Sequence, residues 1–353
     1  MQSSPRARRA TMTDVARAAQ VSLKTVSRYV NGETNIDPVI GARIAEAIAA
    51  LRFRRNMAAA SIRPGQRSQL VGLIIEDVAN PFYSALTRSV ELALRAAGLL
   101  LLAASSEEDP VRFTRLIEQL IERRVDGLIV VAPSHPEPGW PELAREIPAL
   151  VILDRFDDTI DADSIVGDDV GGGTAATELL VGSGARRIAF VGEALGLSTI
   201  NGRYQGYLAA LAAAGLTADP ALVIDGVRTS DDVCTAVTEL LRPGVQVDAF
   251  FAANNLASLG VLKAFRRLGI SRPIVGYDDF ESAALVQPAV TVVSHSVADM
   301  GRRSAELLLA RIDGDRTPAH HLVLPATTTL RASHRAPIPH RPDPPLTEMT
   351  TTP

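Results

Sequence analysis

"VSLKTVSRYVNG", residues 21–32, sets two cations, Lys24 and Arg28, in a run that is otherwise mostly small, hydroxylated or β-branched. Val26 and Val30 are four apart, the spacing of a buried helical stripe, and Ser22 stands where an N-cap accepts a backbone N–H. Leu23, Lys24, Ser27 and Arg28 are left on the free face, with Thr25 near the start. Upstream, Thr13 reads as the cap of a first helix with Val15, Ala16 and Ala19 on one side. Downstream, Asp37 before Pro38 is a cap followed by a first-turn proline, and Ile40, Ile44, Ile48 and Leu51 supply a third stripe. Each helix is too short to be stable alone, so the three must pack together. The link over residues 18–22 is short enough to force a large crossing angle, which is the helix-turn-helix arrangement. Residues near the start of its second helix enter a major groove, where Arg and Lys match guanine O6 and N7 and Leu meets a thymine methyl.

Charge is distributed to match. The chain carries 40 Asp and Glu against 36 Lys and Arg, yet residues 1–67 hold 12 basic and 4 acidic side chains, a net of +8, which leaves the remainder at −12. A basic head on an acidic body is expected when the head alone meets a polyanion; a solvated basic tail is the alternative. With 353 residues, 46% hydrophobic and 22% charged, the chain is long enough for two or three globular domains. One cysteine, Cys234, excludes an intrachain disulfide and a cysteine metal cluster and fits a reducing compartment. No apolar run follows the basic "MQSSPRARRA", and none reaches ~18 residues. A cytoplasmic protein without membrane association is therefore expected.

Residues 54–69, "RRNMAAASIRPGQRSQ", read as a two-turn small-residue helix ended by Pro64 and Gly65, then a polar linker. From Leu70 onward, apolar strings alternate with amphipathic segments: "LVGLIIEDV", "LLLLAASS", "VDGLIVVAP", "ALVILDR", "RIAFVGE", "AFFAAN", "PIVGYD" and "TVVSHS". This is the pattern of parallel sheets covered by helices on both faces, an α/β class. Ligands in such folds sit beyond the carboxyl ends of the strands, where Asp77, Ser105, Asp154, Asp168, Glu193, Asn254 and Asp278 follow. The proline-rich end, from about residue 334, is expected to be disordered.

"MTDVARAAQVSLKTVSRYVNG", "NPFYSALTRSVELALRAAG", "RRVDGLIVVAP", "LDR", "RRIAFVGE", "GRYQGYLAALAAAGL", "FAANNLASLGVLKAFRRLGI", "GYDDF" and "MGRRSAELLLARI" stand in one order. As a set, from about Thr11 to Ala332, they resemble the lactose-repressor (LacI/GalR) family of bacterial transcription regulators. The resemblance implies a disordered arm over 1–10, a helix-turn-helix domain over 11–55, and a hinge helix and linker over 56–67. Residues 68–333 would form an effector-binding and dimerisation core like periplasmic sugar-binding proteins. Its first subdomain would span about 68–166 and 295–326 and its second about 167–294 and 327–333. The chain would cross between them three times, and the strand near Thr291 to Ser296 would return to the first. Homodimers would bind near-palindromic operators under control of a small ligand, a sugar or sugar derivative, with no cofactor.

Carried over by position, Leu23, Lys24 and Arg28 would read bases, and Thr11, Thr13, Ser22, Thr25, Ser27 and Asn31 would anchor phosphates or pack. Asn56, Ala59 and Ile62 would serve the hinge in the minor groove, Ile62 replacing a wedging leucine; a flexible linker is the alternative. Arg55, Met57 and Gln20 also depart from the family pattern, Gln20 standing where the turn usually has glycine. Phe82, Tyr83, Asp154, Asp168, Arg203, Asn254, Asp278 and His295 would face the effector, a donor set suited to a polyol. His295 stands where glutamine is commoner. Structural alternatives remain: Asp154 with Arg155 as an internal ion pair, and Asn254 closing a turn. Asn255, in place of a frequent aspartate, is read as architectural.

The glycines of "DDVGGGTAATELL", residues 168–180, lack the lysine and spacing of a phosphate loop and read as a helix start. His320 and His321 are adjacent and so point differently on a strand, and no nucleophile or metal set accompanies them. An enzyme or a cytoplasmic small-molecule-binding protein on the same fold is the alternative, and it rests on fold analogy alone.

Overall fold

The computed structural model describes residues 10–33, 35–54 and 67–338. The chain divides into two compact units, 1–68 and 69–353. In the first, α1 (Met12–Ala19), α2 (Leu23–Val30) and α3 (Pro38–Ala50) enclose a small core of Val15, Ala16, Ala19, Val26, Ile44 and Ala47. Ser22 and Asp37 cap their helices, as expected. The first cap is Thr11 and not Thr13. Thr11 has extended backbone and accepts from the Asp14 N–H at 3.3 Å, while the Asp14 carboxylate accepts the Thr11 N–H at 2.9 Å. This reciprocal box is available only one turn before an acid at the third helical position.

Gln20 does adopt the left-handed conformation that glycine takes at lower cost, with φ 55° and ψ 46°. Arg43 reaches back from α3 to the Ala19 carbonyl at 2.5 Å and ties the turn down. Leu51 leaves the expected stripe and is 37% exposed. The backbone reverses at Arg52 (φ 47°), and Phe53 packs against the core's end instead. Asn56, Ala59 and Ile62, with the expected hinge helix, lie outside the described residues, as do residues 1–9.

The second unit contains two sheets, each defining a lobe. The first lobe uses β1 (Leu70–Ile75), β2 (Leu100–Ser105), β3 (Gly127–Val130), β4 (Leu150–Asp154) and β5 (Asp163–Gly167). The second uses β6 (Ile188–Val191), β7 (Val223–Ile224), β8 (Ala249–Ala252), β9 (Ile274–Tyr277) and β10 (Thr291–Ser294). From the tail come β11 (His321–Leu324), at the edge of the first sheet, and β12 (Thr327–Thr329), at the edge of the second. The orders are β11-β5-β4-β3-β1-β2 and β12-β10-β9-β8-β6-β7. All pairings are parallel except β10 with β12. Both sheets thus repeat one doubly wound plan whose strand order reverses beside the first strand, β1 in one lobe and β6 in the other.

Among the described residues eight helices cover the two sheets: α4 (Pro81–Ala96), α5 (Pro110–Glu122), α6 (Trp140–Ala144), α7 (Asp169–Gly182), α8 (Ser198–Ala213), α9 (Ser230–Leu240), α10 (Asn255–Leu268) and α11 (Val297–Ile312). Helices α7 and α8 approach so closely that a Cβ on Gly206 would lie 2.2 Å from the Val170 carbonyl oxygen. The glycines of "DDVGGG" thus serve a helix start and a helix contact.

Two expectations need correction. The strand at Thr291–Ser294 stays in the second lobe, parallel to β9. The return to the first lobe is made by α11, whose Met300, Ala305 and Leu308 bury themselves in the first lobe's core with Leu86 and Val90 of α4. Burial of that apolar face decides where the crossing falls. The tail is also ordered further than composition suggested. His334 is buried, its Nδ1 2.7 Å from the Thr291 hydroxyl, and Ile338 packs on the second lobe's core. Residues 339–353 lie outside the described residues.

Candidate functional site

On the head, α2 presents Leu23, 50% exposed, and an exposed Lys24, while Thr25, Ser27 and Arg28 are half-buried. The Ser22 and Thr25 hydroxyls lie 2.8 Å apart, and the Thr11 hydroxyl donates to Asp14 at 2.7 Å, so part of the expected phosphate-anchoring set already holds the fold together. Thr13 and Asn31 are exposed or partly so. Arg28 differs from the expectation: its Nε donates to Glu33 at 2.6 Å and its Nη2 to the Asn35 side chain. A base-reading Arg28 must first leave these partners.

Between the lobes, a narrow cavity of about 30 Å3 is lined by Phe82, Tyr83, Asp154, Arg203, Asn254 and Asp278, six of the eight expected effector residues, among others. The space holds roughly one water, so the lobes stand closed on one another. The topology explains the convergence. Asn254 caps α10 just after β8, giving the Ala257 N–H an acceptor at 2.7 Å, and its amide also donates to Glu193 at 2.6 Å. It closes a turn and faces the cleft at once. Asp154 ends β4 and Asp278 follows β9, the fourth strand of each lobe, and both have left-handed backbone, φ 67° and 60°. Aspartate tolerates that region better than most residues. The repeated strain aims one carboxylate from each lobe at the same space.

Arg203 is fully enclosed. It donates to Asp169 at 2.8 Å, to Asp278 at 3.3 Å and to the Ala253 carbonyl at 2.7 Å, with Tyr277 3.7 Å beneath it. The flanking carboxylates keep it charged despite burial. Arg155 is equally buried, but its partner is not Asp154: it pairs with Glu76 and Glu108. Its side chain leaves β4 on the side where those acids converge, whereas Asp154 accepts the Tyr83 hydroxyl at 3.2 Å. Burial pushes the Tyr83 phenol well above its usual range, so it is a donor here.

Asp168 and His295 do not line this space. Asp168 caps α7 through the Gly171 N–H at 2.9 Å. His295 is buried in the segment joining β10 to α11, edge-on to Phe82 with ring centroids 5.7 Å apart, against Gly167 at another crossing. Neither ring nitrogen has a partner among the described residues, and burial lowers its pKa, leaving it neutral. Glu76 was missed by the sequence reading, which took Asp77 as the polar residue after β1. The signal available was that polarity begins at 76. Asn255, read as architectural, bridges the lobes by donating to Asn80 at 2.8 Å. His320 turns to Asp163 at 3.2 Å and His321 to Ser164 at 2.8 Å, divergent as expected.

The family model described as "Bacterial regulatory proteins, lacI family" matches residues 11–56, and that of a "Periplasmic binding protein-like domain" matches 177–334. The ribose operon repressor of Escherichia coli strain K12 is 31% identical over 309 residues, covering 86% of this chain and 93% of its own. The regulator CelR of Thermobifida fusca is 33% identical over 345 residues, covering 93% and 99%. Among solved structures, a CelR–cellobiose complex superposes with TM-score 0.69 at 31% identity, covering 92% of this chain and all of that one. The lac repressor dimer bound to operator and an anti-inducer superposes with TM-score 0.83 over 93% and 100%, a likeness of fold at 23% identity. A three-helix head with an outward second helix, a double-lobed core closed on a polar cleft, and relatives that match both parts end to end lead to one assignment: the chain belongs to the lacI family of bacterial regulatory proteins.

Proposed function

We propose that this regulator is a homodimeric repressor that reads a near-palindromic operator through α2 and changes its hold on that operator when a sugar or sugar derivative binds between the lobes. In this reading 11–55 is the DNA-binding domain, 56–67 the hinge with Asn56, Ala59 and Ile62 in the minor groove, and the core from 68 onward the ligand and dimer domain. It works where duplex DNA is, in the cytoplasm. Leu23 and Lys24 read base edges, Arg28 joins them once released from Glu33, and Thr11, Thr13, Ser22, Thr25, Ser27 and Asn31 steady the backbone. Phe82, Tyr83, Asp154, Arg203, Asn254 and Asp278 contact the ligand; Asp168 and His295 support the crossings beside it. The ribose and cellobiose named for the relatives favour a sugar, as do carboxylates and amides arranged to accept from and donate to hydroxyls.

The observation that carries this reading is the presentation of Leu23 and Lys24 on the outward start of a capped helix. A base-reading side chain discriminates by about 1–3 kcal/mol, whereas a phosphate contact weakens all sequences alike. Sequence selection from random duplexes with the full chain is expected to give one consensus for the wild type and a different one for Lys24→Ala. The same consensus from both would remove the base-reading assignment.

A further inference from the structure

The charges around the interlobe cavity are unequal. Of the two lining guanidiniums, Arg155 is matched by Glu76 and Glu108 and Arg203 by Asp169 and Asp278, while the more exposed Arg228 reaches Glu76 at 3.8 Å. Two further lining carboxylates, Asp154 and Glu193, form no ion pair among the described residues: Asp154 accepts from Tyr83 and Glu193 from Asn254. A buried acceptor also stands open, since Oδ1 of Asp278 has no partner among the described residues. The surplus comes from both lobes by the same topological route, because Glu76 follows the first strand of one sheet and Glu193 the first strand of the other.

We infer that this surplus sets ligand choice: the cleft takes an uncharged polyol or one bearing an amine, rejects phosphorylated and carboxylated sugars, and owes the rejection chiefly to Glu193 facing Glu76 across the lobes. The inference rests on the sugar reading above and narrows it. An anionic ligand would need a cation released from its own acids, in a space where little water screens repulsion. Hydroxyl and ammonium donors instead meet the open oxygen of Asp278 and carboxylates without a paired cation. Glu193 is buried, and it faces Glu76, Glu108, Arg155 and Arg228, with burial the largest influence and Glu76 the next; together they lift its carboxyl to about 7. Closing the lobes without a donor ligand therefore favours a proton on Glu193.

Two arms on the full-length chain test this. In the first, calorimetry compares ribose, galactose and cellobiose with galactosamine, ribose 5-phosphate and galactose 6-phosphate. A phosphate ester is expected to bind at least tenfold more weakly than its parent sugar, and Glu193→Gln is expected to narrow that ratio several-fold. An ester that binds as well as its parent overturns the inference. The second arm needs no ligand. A carboxyl raised on folding contributes stability below its unfolded pKa near 4.5 that is lost as pH rises through about 7. Glu193→Gln is therefore expected to melt above the wild type at pH 8, with the gap shrinking by pH 5. An equal gap at both pH values overturns the inference. If no sugar of any charge binds while the second arm succeeds, the sugar reading fails and the choice among sugars falls with it, leaving only the repulsion between Glu193 and Glu76; an ester that binds as well as its parent overturns the choice alone.

Discussion

Replacing Asn255 by alanine loosens the closure of the two lobes. The Asn255 amide, at the first residue of α10, donates across the cleft to Asn80 Oδ1 at 2.8 Å. Asn80 is held in place because the same oxygen accepts the Phe82 N–H at 3.0 Å, capping α4. A neutral hydrogen bond of this kind contributes about 0.5–1.5 kcal/mol. Asn255 also carries a buried acceptor, Oδ1, without a partner, and alanine removes that penalty too, so the net cost falls in the lower half of the range. The opening constant of the lobes is then expected to rise about two- to fivefold. Amide exchange read by NMR or mass spectrometry reports this directly, because exchange of a protected amide scales with its opening equilibrium. Amides in the first turn of α4, on the lobe that carries no substitution, should exchange faster by that factor, while β3 and β8 stay protected. Asn255→Asp should act more strongly, since it sets a carboxylate against the capping oxygen of Asn80. Unchanged exchange in α4 for both variants would refute the latch.

Further outcomes follow from particular contacts. Glu33→Gln frees Arg28 from a half-exposed pair whose breaking costs about 0.2–1 kcal/mol, so fluorescence anisotropy should show the selected operator bound roughly 1.4- to 5-fold more tightly; weaker binding would place Arg28 outside the contact. Gln20→Gly relieves a left-handed residue and should raise the head's urea midpoint by the equivalent of a few tenths to about 1 kcal/mol, unless the contact from Arg43 to the Gln20 side chain at 3.4 Å is what holds the turn. Arg203→Met leaves Asp169 and Asp278 facing each other without a cation, at a cost of about 3–5 kcal/mol, and should abolish ligand binding with a large fall in Tm; a small fall would mean that the two acids are protonated together.

The parts legible from residues alone were those with a local physical cause. Ser22 and Asp37 announce helix starts by their chemistry, and Gln20 stands where the turn demands a left-handed residue whatever the side chain. Asp154, Asn254 and Asp278 could be nominated because each follows an apolar strand in a fold that binds at strand ends. The short strands β5, β7, β11 and β12 escaped because "DSIVG", "VI", "HLVL" and "TTT" are too brief to show a period, and tertiary pairing alone makes them strands. An ion pair between Asp154 and Arg155 stood only as the alternative to a ligand contact, and it does not form, since Glu76 and Glu108 are brought to Arg155 from 79 and 47 residues away. The placement of β10 was misjudged for a related reason: the crossing is decided by the apolar face of α11, whose partners on α4 lie some two hundred residues earlier.

The account stands most directly on coupling between ligand and operator. Calorimetric titration of the sugar that binds, with the full chain alone and then saturated with the selected operator duplex, measures it in one pair of experiments. The two affinities should differ, and operator affinity should shift by the same factor when the sugar is present. Identical sugar affinities with and without operator would contradict the proposed control of DNA binding by the cleft.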